Sequence, residues 1–386
     1  MAERVKKRKE HTENFFDYTL LFVVLFLLGF GLIMIYSVSS YEAYAAYNDA
    51  AFFLKKQLLS AILGLVAMIA VANINYHFWI RFAGFGYLLS VVLIVMVPFF
   101  GIEANGAKRW LPIPGIGLTI QPAEVAKLCM ILFLANLVCL MGKGIRSLRG
   151  MIFLMITAVP MVLLVWKLTD NLSSAIIILG ISVFMIFVAS PDYKGFIVLG
   201  TIAAACVAGL VYYISTLNMS DVEGFRFKRI LAWMNPEAYA SDVGYQTLQS
   251  LYAIGSGGIV GKGLGQSMQK LGFIPEAQND MIFSIICEEL GLFGAIVVIT
   301  MFLLLLWRMM VIANNAPDLF GSLLVVGVMG HIAIQVILNV AVVTNTIPNT
   351  GISLPFISYG GTSVLFLLVE IGLVLNVAKR IQLKVI

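Results

Sequence analysis

The feature that most constrains this chain is a series of ten long apolar segments, each about the length needed to cross a bilayer as a helix. Segments of a transmembrane β-barrel would be shorter and would alternate polar with apolar residues. The chain is also 61% hydrophobic and 12% charged, which is too few charges to cover a soluble domain. The sequence therefore predicts an all-α integral membrane protein with ten transmembrane helices. They lie near residues 18–37, 57–73, 78–100, 123–141, 151–166, 172–190, 195–216, 281–306, 318–343 and 361–378.

Cations outside these segments predict the orientation of the helices. Lys and Arg are enriched in short cytoplasmic loops, and the residues before the first segment are strongly basic. If the N-terminal end lies in the cytoplasm, ten spans place the C-terminal end in the cytoplasm as well. We expect one transmembrane domain over residues 17–380, between cytoplasmic tails at 1–16 and 381–386. The loops and tail that are then cytoplasmic carry Lys143, Arg146, Arg149, Arg308, Lys379, Arg380 and Lys384.

Two extracellular segments are too long to be simple turns. One covers about residues 101–120, and the other, between helices seven and eight, covers about 218–280. The longer one contains a glycine-rich stretch, 253–265, without the GxxxxGK[ST] order of a phosphate-binding loop. We expect flexible backbone there, beside short amphipathic helices on the outer leaflet.

A few cations fall on the outer side and break the charge pattern: Lys55, Lys56, Lys108 and Arg109. The last two directly precede Trp110. One interpretation is an interfacial anchor, with the indole at headgroup level and the cations on lipid phosphates. The other is a binding site for a phosphorylated lipid, in which Arg109 offers a planar fork of donors.

Charged side chains also occur where the fourth apolar segment begins. Gln121 and Pro122 precede Glu124 and Lys127, which are three residues apart and therefore share a helix face. Ionisable groups in hydrocarbon are costly and indicate function by default. The pattern predicts either a structural ion pair or a Lys127 that holds an anion in a polar cavity while Glu124 orients it.

Asp280 stands immediately before the eighth apolar segment, where a helix N-cap is expected. The alternative is a general base, which needs a pKa near working pH, whereas a helix N-terminus lowers the pKa of a carboxyl. A basic Asp280 would therefore require burial or a neighbouring carboxylate. Glu288 and Glu289 are the nearest candidates further into the span.

Polar residues recur every four positions in the ninth segment, at His331, Gln335 and Asn339. Hydrogen bonding between helices is one role for such a stripe, and a proton relay is the alternative. Glu370 in the tenth segment is a similar isolated polar residue. The cysteines and histidines are too scattered to predict a metal cluster.

Five motifs occur in order over nearly the whole chain. They are NGAKRWL (105–111), QPAEVAK (121–127), AIGSGG (253–258), PEAQND (275–280) and NTGISLPFISYGGTS (349–363). Together they resemble the SEDS family (shape, elongation, division and sporulation). Residues 263–270 and 275–277 resemble the FtsW and SpoVE branch more than the RodA branch.

The resemblance implies a peptidoglycan glycosyltransferase that polymerises lipid II on a polyprenyl-diphosphate-linked glycan at the outer face of the bacterial cytoplasmic membrane. It also implies a class B penicillin-binding protein and other division-complex proteins as partners, and no nucleic acid. Asp280 matches the essential aspartate of the family, and Trp110 matches its tryptophan after the basic pair. The implied substrate-binding residues are Lys108, Arg109, Trp110, Gln121, Glu124, Lys127, Ser358 and Gly360.

One departure from the family occurs before the sixth segment. Many members have Pro-Asp-x-Gly-Thr there, whereas this chain has TDNLSS at 169–174. The sequence does not decide between Asp170 and Asn171 for the position of that aspartate, and neither is predicted to be catalytic.

The implied reaction needs a carboxylate to take a proton from a sugar hydroxyl, and Asp280 is the candidate. It also needs positive charge on the leaving diphosphate, from Arg109 and Lys127 or from a divalent cation such as Mg²⁺ or Mn²⁺. A lipid II flippase and a non-catalytic scaffold for the transpeptidase are the alternative functions.

Overall fold

The structure is a computed structural model that describes residues 16–104, 107–112, 119–190, 193–216, 225–241 and 243–381. These residues form a bundle of helices with a 3₁₀ helix, Gly142–Arg146, and a small sheet. The α-helices are α1 (Tyr18–Tyr47), α2 (Phe52–Asn73), α3 (Tyr76–Ile80), α4 (Ala83–Phe100), α5 (Pro122–Met141), α6 (Leu148–Leu168), α7 (Leu172–Ala189), α8 (Lys194–Ser215), α9 (Phe225–Met234), α10 (Tyr245–Gly257), α11 (Ile282–Asn314), α12 (Leu319–Val343) and α13 (Gly361–Ala378).

Ten helices in the described part of the chain are long and apolar enough to cross a membrane, which confirms the predicted spans. They are α1, α2, α4 to α8 and α11 to α13. A helix suits this setting because it bonds its own backbone groups, for which hydrocarbon offers no partner. The apolar pattern placed the end of the first helix too early. The helix continues to Tyr47 because its more polar last turns still favour helix after the apolar run ends.

The core of the bundle lies around α12 and α13. Within the most apolar stretch of each of these spans, 67% of residues are buried, whereas the figure for α8 is 6%. The polar residues of α12 therefore lie inside the protein and not in lipid, and α8 lies at the periphery.

The connecting segments collect at two ends of the bundle. The tail end holds both ends of the described chain: the carboxylate of Asp17 pairs with Arg308 at 2.6 Å, and the ammonium of Lys379 lies 5.6 Å from the ring of Phe16. The opposite end, called the site end here, holds Asp280 and the segments that follow α4, α6, α8 and α12. Termini at one end agree with the prediction from an even number of spans.

The shorter segment at the site end carries a small antiparallel sheet that the all-α prediction did not include. Its strands are β1 (Ile102–Ala104), β2 (Ala107–Pro112) and β3 (Thr119–Ile120), in the order β1-β2-β3. A sheet of such short strands has too few residues to give a periodic signal in the sequence. Its effect is to hold β2 beside the start of α5.

The longer segment contains the two short helices α9 and α10, as expected, but its glycine-rich stretch is not loose. The backbone N–H of Lys262 donates to the carbonyl of Glu288, and that of Gly263 to the carbonyl of Glu289, both at 2.9 Å. These carbonyls are available because α11 is broken at Gly291, whose φ is 66°. The glycines therefore permit close backbone contact with α11.

Candidate active site

Asp280 lies in a turn at the site end just before α11. The helix begins at Ile282 with Met281 as its N-cap, and no side chain bonds to its first turn. The N-cap interpretation of Asp280 is therefore wrong. The physical reason is the preceding turn, in which the N–H of Asn279 donates to the carbonyl of Glu276 at 2.9 Å and displaces the start of the helix. The carboxylate is left available for other contacts.

A chain of hydrogen bonds leads to the Asp280 carboxylate. Gln246 in α10 donates Nε2 to Asp280 Oδ1 at 3.3 Å. Asn349, after α12, donates Nδ2 to Gln246 Oε1 at 2.8 Å. Arg229 in α9 donates Nη1 to the carbonyl oxygen of Asn349 at 3.1 Å. These contacts join α9, α10 and the segment after α12 at one carboxylate.

The main chain at Asp280 is fixed by the polar face of α12. Asn339 donates Nδ2 to the carbonyls of Asp280 and Ile352, both at 2.7 Å. Gly351 adjoins the carboxylate: its φ is 70°, and a Cβ there would stand 3.7 Å from Asp280 Oδ2. Asn339 therefore sets the position of both the aspartate and the loop that faces it.

Burial raises the pKa of Asp280 from 3.8 to about 6, because the surrounding protein removes water that would stabilise the charged form. The negative charge of Glu276 acts in the same direction. The backbone N–H of Asp280 itself, the charge of Arg229 and the bond from Gln246 lower the pKa, but by less in total. Burial thus raises the pKa of Asp280, as a general base requires. The carboxylate that acts on it is Glu276 and not Glu288 or Glu289. The residue as a whole is half-buried.

Arg109 is connected through the start of α7 to the loop that contains Gly351. It donates Nη2 to the carbonyl oxygen of Asp170 at 3.1 Å. Ser173, at the start of α7, donates its hydroxyl to the carbonyl of Thr350, the neighbour of Gly351. Arg109 is thus linked to the loop beside Asp280 through Asp170, α7 and Thr350, without contacting the carboxylate itself. The residues joined in this way are called the outer polar cluster here. Its members are Arg109, Asp170, Arg229, Gln246, Asp280 and Asn349.

The two residues considered for the aspartate position of the family have different contacts. The side chain of Asn171 caps α7 by accepting the N–H of Ser174 at 3.0 Å. Asp170 has a positive φ of 47°, and its carbonyl receives Arg109. Asp170 is therefore the one that joins the outer polar cluster.

The neighbours of Arg109 lie on the other face of β2, because residues alternate along a strand. Lys108 is exposed, with Nζ 3.5 Å from the carbonyl of Pro98, and Trp110 is half-buried. Contact of Lys108 and Trp110 with substrate stays a prediction.

Glu124 and Lys127 form an ion pair at 2.8 Å inside the bundle. Lys127 is only 1% exposed, so a bulky lipid diphosphate does not reach it in this conformation. The ion-pair interpretation therefore describes it better than the anion-binding one. Gln121 is the N-cap residue of α5, half-buried, and its carbonyl accepts the N–H of Glu124 at 3.0 Å.

Ser358 and Gly360 hold the loop that precedes α13. The Ser358 hydroxyl accepts the N–H of Leu354 at 2.7 Å, and its carbonyl accepts Nε2 of Gln57 at 3.3 Å. The N–H of Gly360 donates to Oε1 of the same glutamine at 3.1 Å. These contacts tie the loop to α2, and substrate contact by either residue stays a prediction.

Glu288 and Glu289 form ion pairs with lysines of the long segment between α8 and α11. They therefore anchor that segment and do not act on Asp280. Glu288 pairs with Lys262 at 2.7 Å, and Glu289 pairs with Lys270 at 2.8 Å. Glu289 also accepts the hydroxyl of Ser37 from α1 at 2.8 Å. The two carboxylates are fully buried, so they fix the loop that leads to the aspartate.

The other two residues of the polar stripe in α12, His331 and Gln335, contact neighbouring elements. This agrees with the predicted role of the stripe in hydrogen bonding between helices. Gln335 donates Nε2 to the carbonyl of Ser353 at 3.0 Å. His331 Nδ1 lies 2.8 Å from a carboxylate oxygen of Glu370 in α13. The stripe thus joins the centre of the bundle to the loop beside Asp280.

The described residues do not form a metal site made of protein ligands alone. Among the ranges that the structure describes, no three His, Cys, Asp or Glu side chains are grouped to hold an ion. Asp280 and Glu276 influence one another electrostatically. Because Mg²⁺ is commonly held by one or two carboxylates together with waters and substrate phosphates, a divalent cation carried by the substrate diphosphate stays a prediction.

The sequence did not single out Gln246, and it did not connect Arg229 with Asp280. Gln246 lies on a short helix without a motif, and its partners are 34 and 103 residues away along the chain. The nearest sequence signal was the NTG at 349–351, which the resemblance included without assigning roles.

Comparison with known proteins gives consistent matches over nearly the whole chain. The family model of FtsW, RodA and SpoVE, described as "Cell cycle protein", matches residues 18–383. Stage V sporulation protein E of Bacillus subtilis is 40% identical over 366 residues, covering 94% of this chain and 97% of that protein. The probable peptidoglycan glycosyltransferase FtsW of Trichlorobacter lovleyi is 38% identical over 371 residues, covering 95% and 94% respectively.

Solved structures share the same fold. A chain from a peptidoglycan synthase complex that coordinates polymerization and crosslinking superposes with a TM-score of 0.78 at 26% identity, covering 95% of this chain and 98% of that one. The rod shape determining protein RodA of Thermus thermophilus gives a TM-score of 0.68 at 25% identity, covering 95% and 97%.

Proposed function

Since the chain belongs to the FtsW/RodA/SpoVE family and is a peptidoglycan glycosyltransferase of the membrane, we propose that Asp280 is its general base in the polymerisation of lipid II. The observation that carries this role is the desolvated carboxylate of the half-buried Asp280 within a cluster that also contains two arginines. A pKa of about 6 makes it a stronger base than an ordinary aspartate while leaving it mostly ionised at neutral pH.

The proposed reaction has one displacement. The 4-hydroxyl oxygen of lipid II attacks the anomeric carbon of the growing glycan as its proton passes to an oxygen of Asp280. The bond from that carbon to the diphosphate breaks, and the electron pair leaves with the polyprenyl diphosphate. Direct displacement inverts the anomeric centre. One carboxylate suffices, because the leaving group needs no proton.

Arginine is suited to the charge that develops on the leaving diphosphate, since its guanidinium offers a planar fork of donors to phosphate oxygens. Arg109 and Arg229 are the cations of the outer polar cluster, and each now donates to a backbone carbonyl. Substrate phosphate would compete with those carbonyls. We assign the leaving diphosphate to Arg109, since its bond to the carbonyl of Asp170 is exposed, whereas the bond from Arg229 to the carbonyl of Asn349 is partly buried.

Gln246 and Asn339 act as positioning residues in this mechanism. Gln246 donates to one carboxylate oxygen of Asp280 and so orients the carboxylate that would accept the proton. Asn339 holds the carbonyl of the same aspartate. The geometry thereby fixes the base before substrate binds, and preorganisation of this kind lowers the barrier.

The site end is proposed to face outward, where lipid II is polymerised. Support comes from the basic tail-end loops and from the family resemblance. A class B penicillin-binding protein is the proposed partner, and the structural relative in a complex for polymerization and crosslinking supports this. Involvement in division or sporulation follows from the named relatives.

The decisive experiment supplies labelled lipid II to the purified protein with its partner. A polymerase gives glycan ladders on a gel, a flippase gives leaflet exchange without ladders, and a scaffold gives neither. Asp280→Asn is expected to lower the rate by a factor of about 10² to 10⁴, the range for loss of a general base. Asp49→Asn is the matched control, because that aspartate follows α1 at the site end and pairs with Lys55 at 2.7 Å. Polymerisation at the wild-type rate by folded, partner-bound Asp280→Asn would refute the role of Asp280.

A further inference from the structure

We propose that a pocket at the tail end binds the phosphate headgroup of an anionic phospholipid. The pocket has a volume of about 470 Å³ and lies between the 3₁₀ helix Gly142–Arg146, the end of α7 and the first residue of α12. The span α5 begins at the site end and ends beside this pocket, so about 30 Å of membrane separates the pocket from Asp280. The proposed site is therefore independent of the glycosyltransferase site.

Two cations line the pocket, Lys143 and Arg146. They are three residues apart in a 3₁₀ helix, which has three residues per turn, so their side chains project from the same face. Gly142 makes this arrangement possible, because its φ of 50° turns the chain at the end of α5. The fold thus aims two positive charges into one concavity.

Among the residues that the structure describes, none neutralises these charges. The residues that line the pocket include no Asp or Glu, and in the described part of the chain Lys143 and Arg146 form no ion pair. Asp318, at the N-cap of α12, is already engaged by the Gly321 N–H at 2.8 Å, the Tyr76 hydroxyl at 2.5 Å and His77 at 2.9 Å. The described surroundings of the pocket thus leave its two cations available to an anion from outside the protein.

The surroundings of the pocket identify that anion as part of a lipid. Val188 and Leu319 line the pocket and are exposed, and Leu148 at the start of α6 is exposed close to it in the chain. Apolar side chains at the end of a membrane span face acyl chains, and cations beside them lie at headgroup level. A phospholipid satisfies both surfaces at once, with its phosphate on the cations and its acyl chains on the leucines and valine.

The general excess of cations in inner loops does not account for this geometry. Orientation depends only on the number of Lys and Arg residues near the ends of spans, not on their meeting in a pocket. Arg81 and Arg149 are equally exposed at the tail end but lie outside the pocket. They provide a comparison in which charge is removed without changing the pocket.

The test titrates the purified full-length protein in neutral detergent with phosphatidylglycerol or phosphatidylcholine and counts retained lipids by native mass spectrometry. Lys143→Gln/Arg146→Gln is expected to weaken phosphatidylglycerol binding about 30-fold, since each cation near an anionic lipid contributes a factor of about five. The charge-conserving Lys143→Arg/Arg146→Lys should bind as the wild type does. Arg81→Gln/Arg149→Gln should lose far less, and phosphatidylcholine should be retained poorly by every protein.

Three results would overturn the proposal. Equal losses of phosphatidylglycerol binding in Lys143→Gln/Arg146→Gln and Arg81→Gln/Arg149→Gln would mean that only the overall charge matters. Wild-type binding by the pocket pair would mean that the lipid does not use the pocket. Displacement of the lipid by inorganic phosphate alone would identify a site for free anions. Lipid II polymerisation by the pocket pair verifies that the variant is folded.

Discussion

Replacing Asp280 by asparagine is expected to stabilise the protein at the same time as it removes activity. The carboxyl has a higher pKa in the folded protein than in the unfolded chain. Its charged form is therefore disfavoured by folding, and stability falls as pH rises from the unfolded pKa through the folded one. Asparagine has nearly the same shape and no charge, so it is not subject to this loss.

The magnitude follows from the pKa change. The interval from 3.8 to about 6 is about two units, and each unit corresponds to about 1.4 kcal/mol. The ionised carboxylate thus costs on the order of 3 kcal/mol, and partial solvent contact of the residue reduces this to about 2 kcal/mol. For a chain of 386 residues, a gain of this size raises the melting temperature by a few degrees.

The assay compares the melting temperatures of wild type and Asp280→Asn in detergent between about pH 4 and about pH 8. The variant should melt higher at the upper pH, and the difference should disappear as pH falls through about 6 towards 4. Asp49→Asn is the control of opposite sign, because its bond to Lys55 lowers the pKa of Asp49. A pH-independent difference, or a variant that melts lower, would refute the reasoning.

Two further changes test the positioning contacts and the buried charges. Gln246→Leu removes a donor to the ionised carboxylate, so the pKa of Asp280 should rise further and the acid limb of the rate profile should move to higher pH. Polymerisation should also slow by a factor of about five to ten, as for one lost hydrogen bond, and initial rates measured against pH give both effects. Lys127→Met leaves the buried Glu124 charge unpaired and should destabilise the protein by about 3–5 kcal/mol. The double variant Glu124→Gln/Lys127→Met should recover most of this loss in thermal melts.

Controls for these changes come from exposed residues of the same types. Gln266→Leu, in the same long segment, should leave the pH profile where it is. Lys55→Met breaks an exposed pair and should alter stability by less than about 1 kcal/mol. An unshifted profile in Gln246→Leu would remove Gln246 from the mechanism. No recovery in the double variant would mean that Lys127 acts by something other than pairing.

The spans were predictable because a helix that crosses the hydrocarbon core must be apolar over most of its length. The ends of helices were less predictable, since a helix such as α1 continues beyond the membrane without any apolar pattern. The small sheet was missed for the related reason that its strands have only two to six residues. Composition determines what lies in lipid, whereas local geometry at the bundle ends depends on contacts between distant segments.

The candidate site was predictable only in part. Asp280 stood out because it directly precedes an apolar run and because its motif resembles that of the family. The sequence also favoured a helix-cap role for Asp280. The turn closed by the bond from Asn279 to Glu276 makes Met281 the N-cap instead. Gln246 carries no signal at all, because its function arises when α10 packs beside residues far along the chain.

The buried charges also show how a base is distinguished from structural charge in so apolar a protein. Structural carboxylates here are each matched by a cationic or basic side chain at 2.6–2.8 Å. In such a pair, removal of one partner leaves the other buried without its match, which is costly in the bundle. Asp280 instead has a neutral amide at 3.3 Å as its side-chain donor, while the arginine that influences it donates elsewhere. A carboxylate held in this way can take up a proton without leaving a buried cation unpaired, and proton transfer requires that property. The matched carboxylates are Glu124, Glu288, Glu289, Asp17 and Glu370.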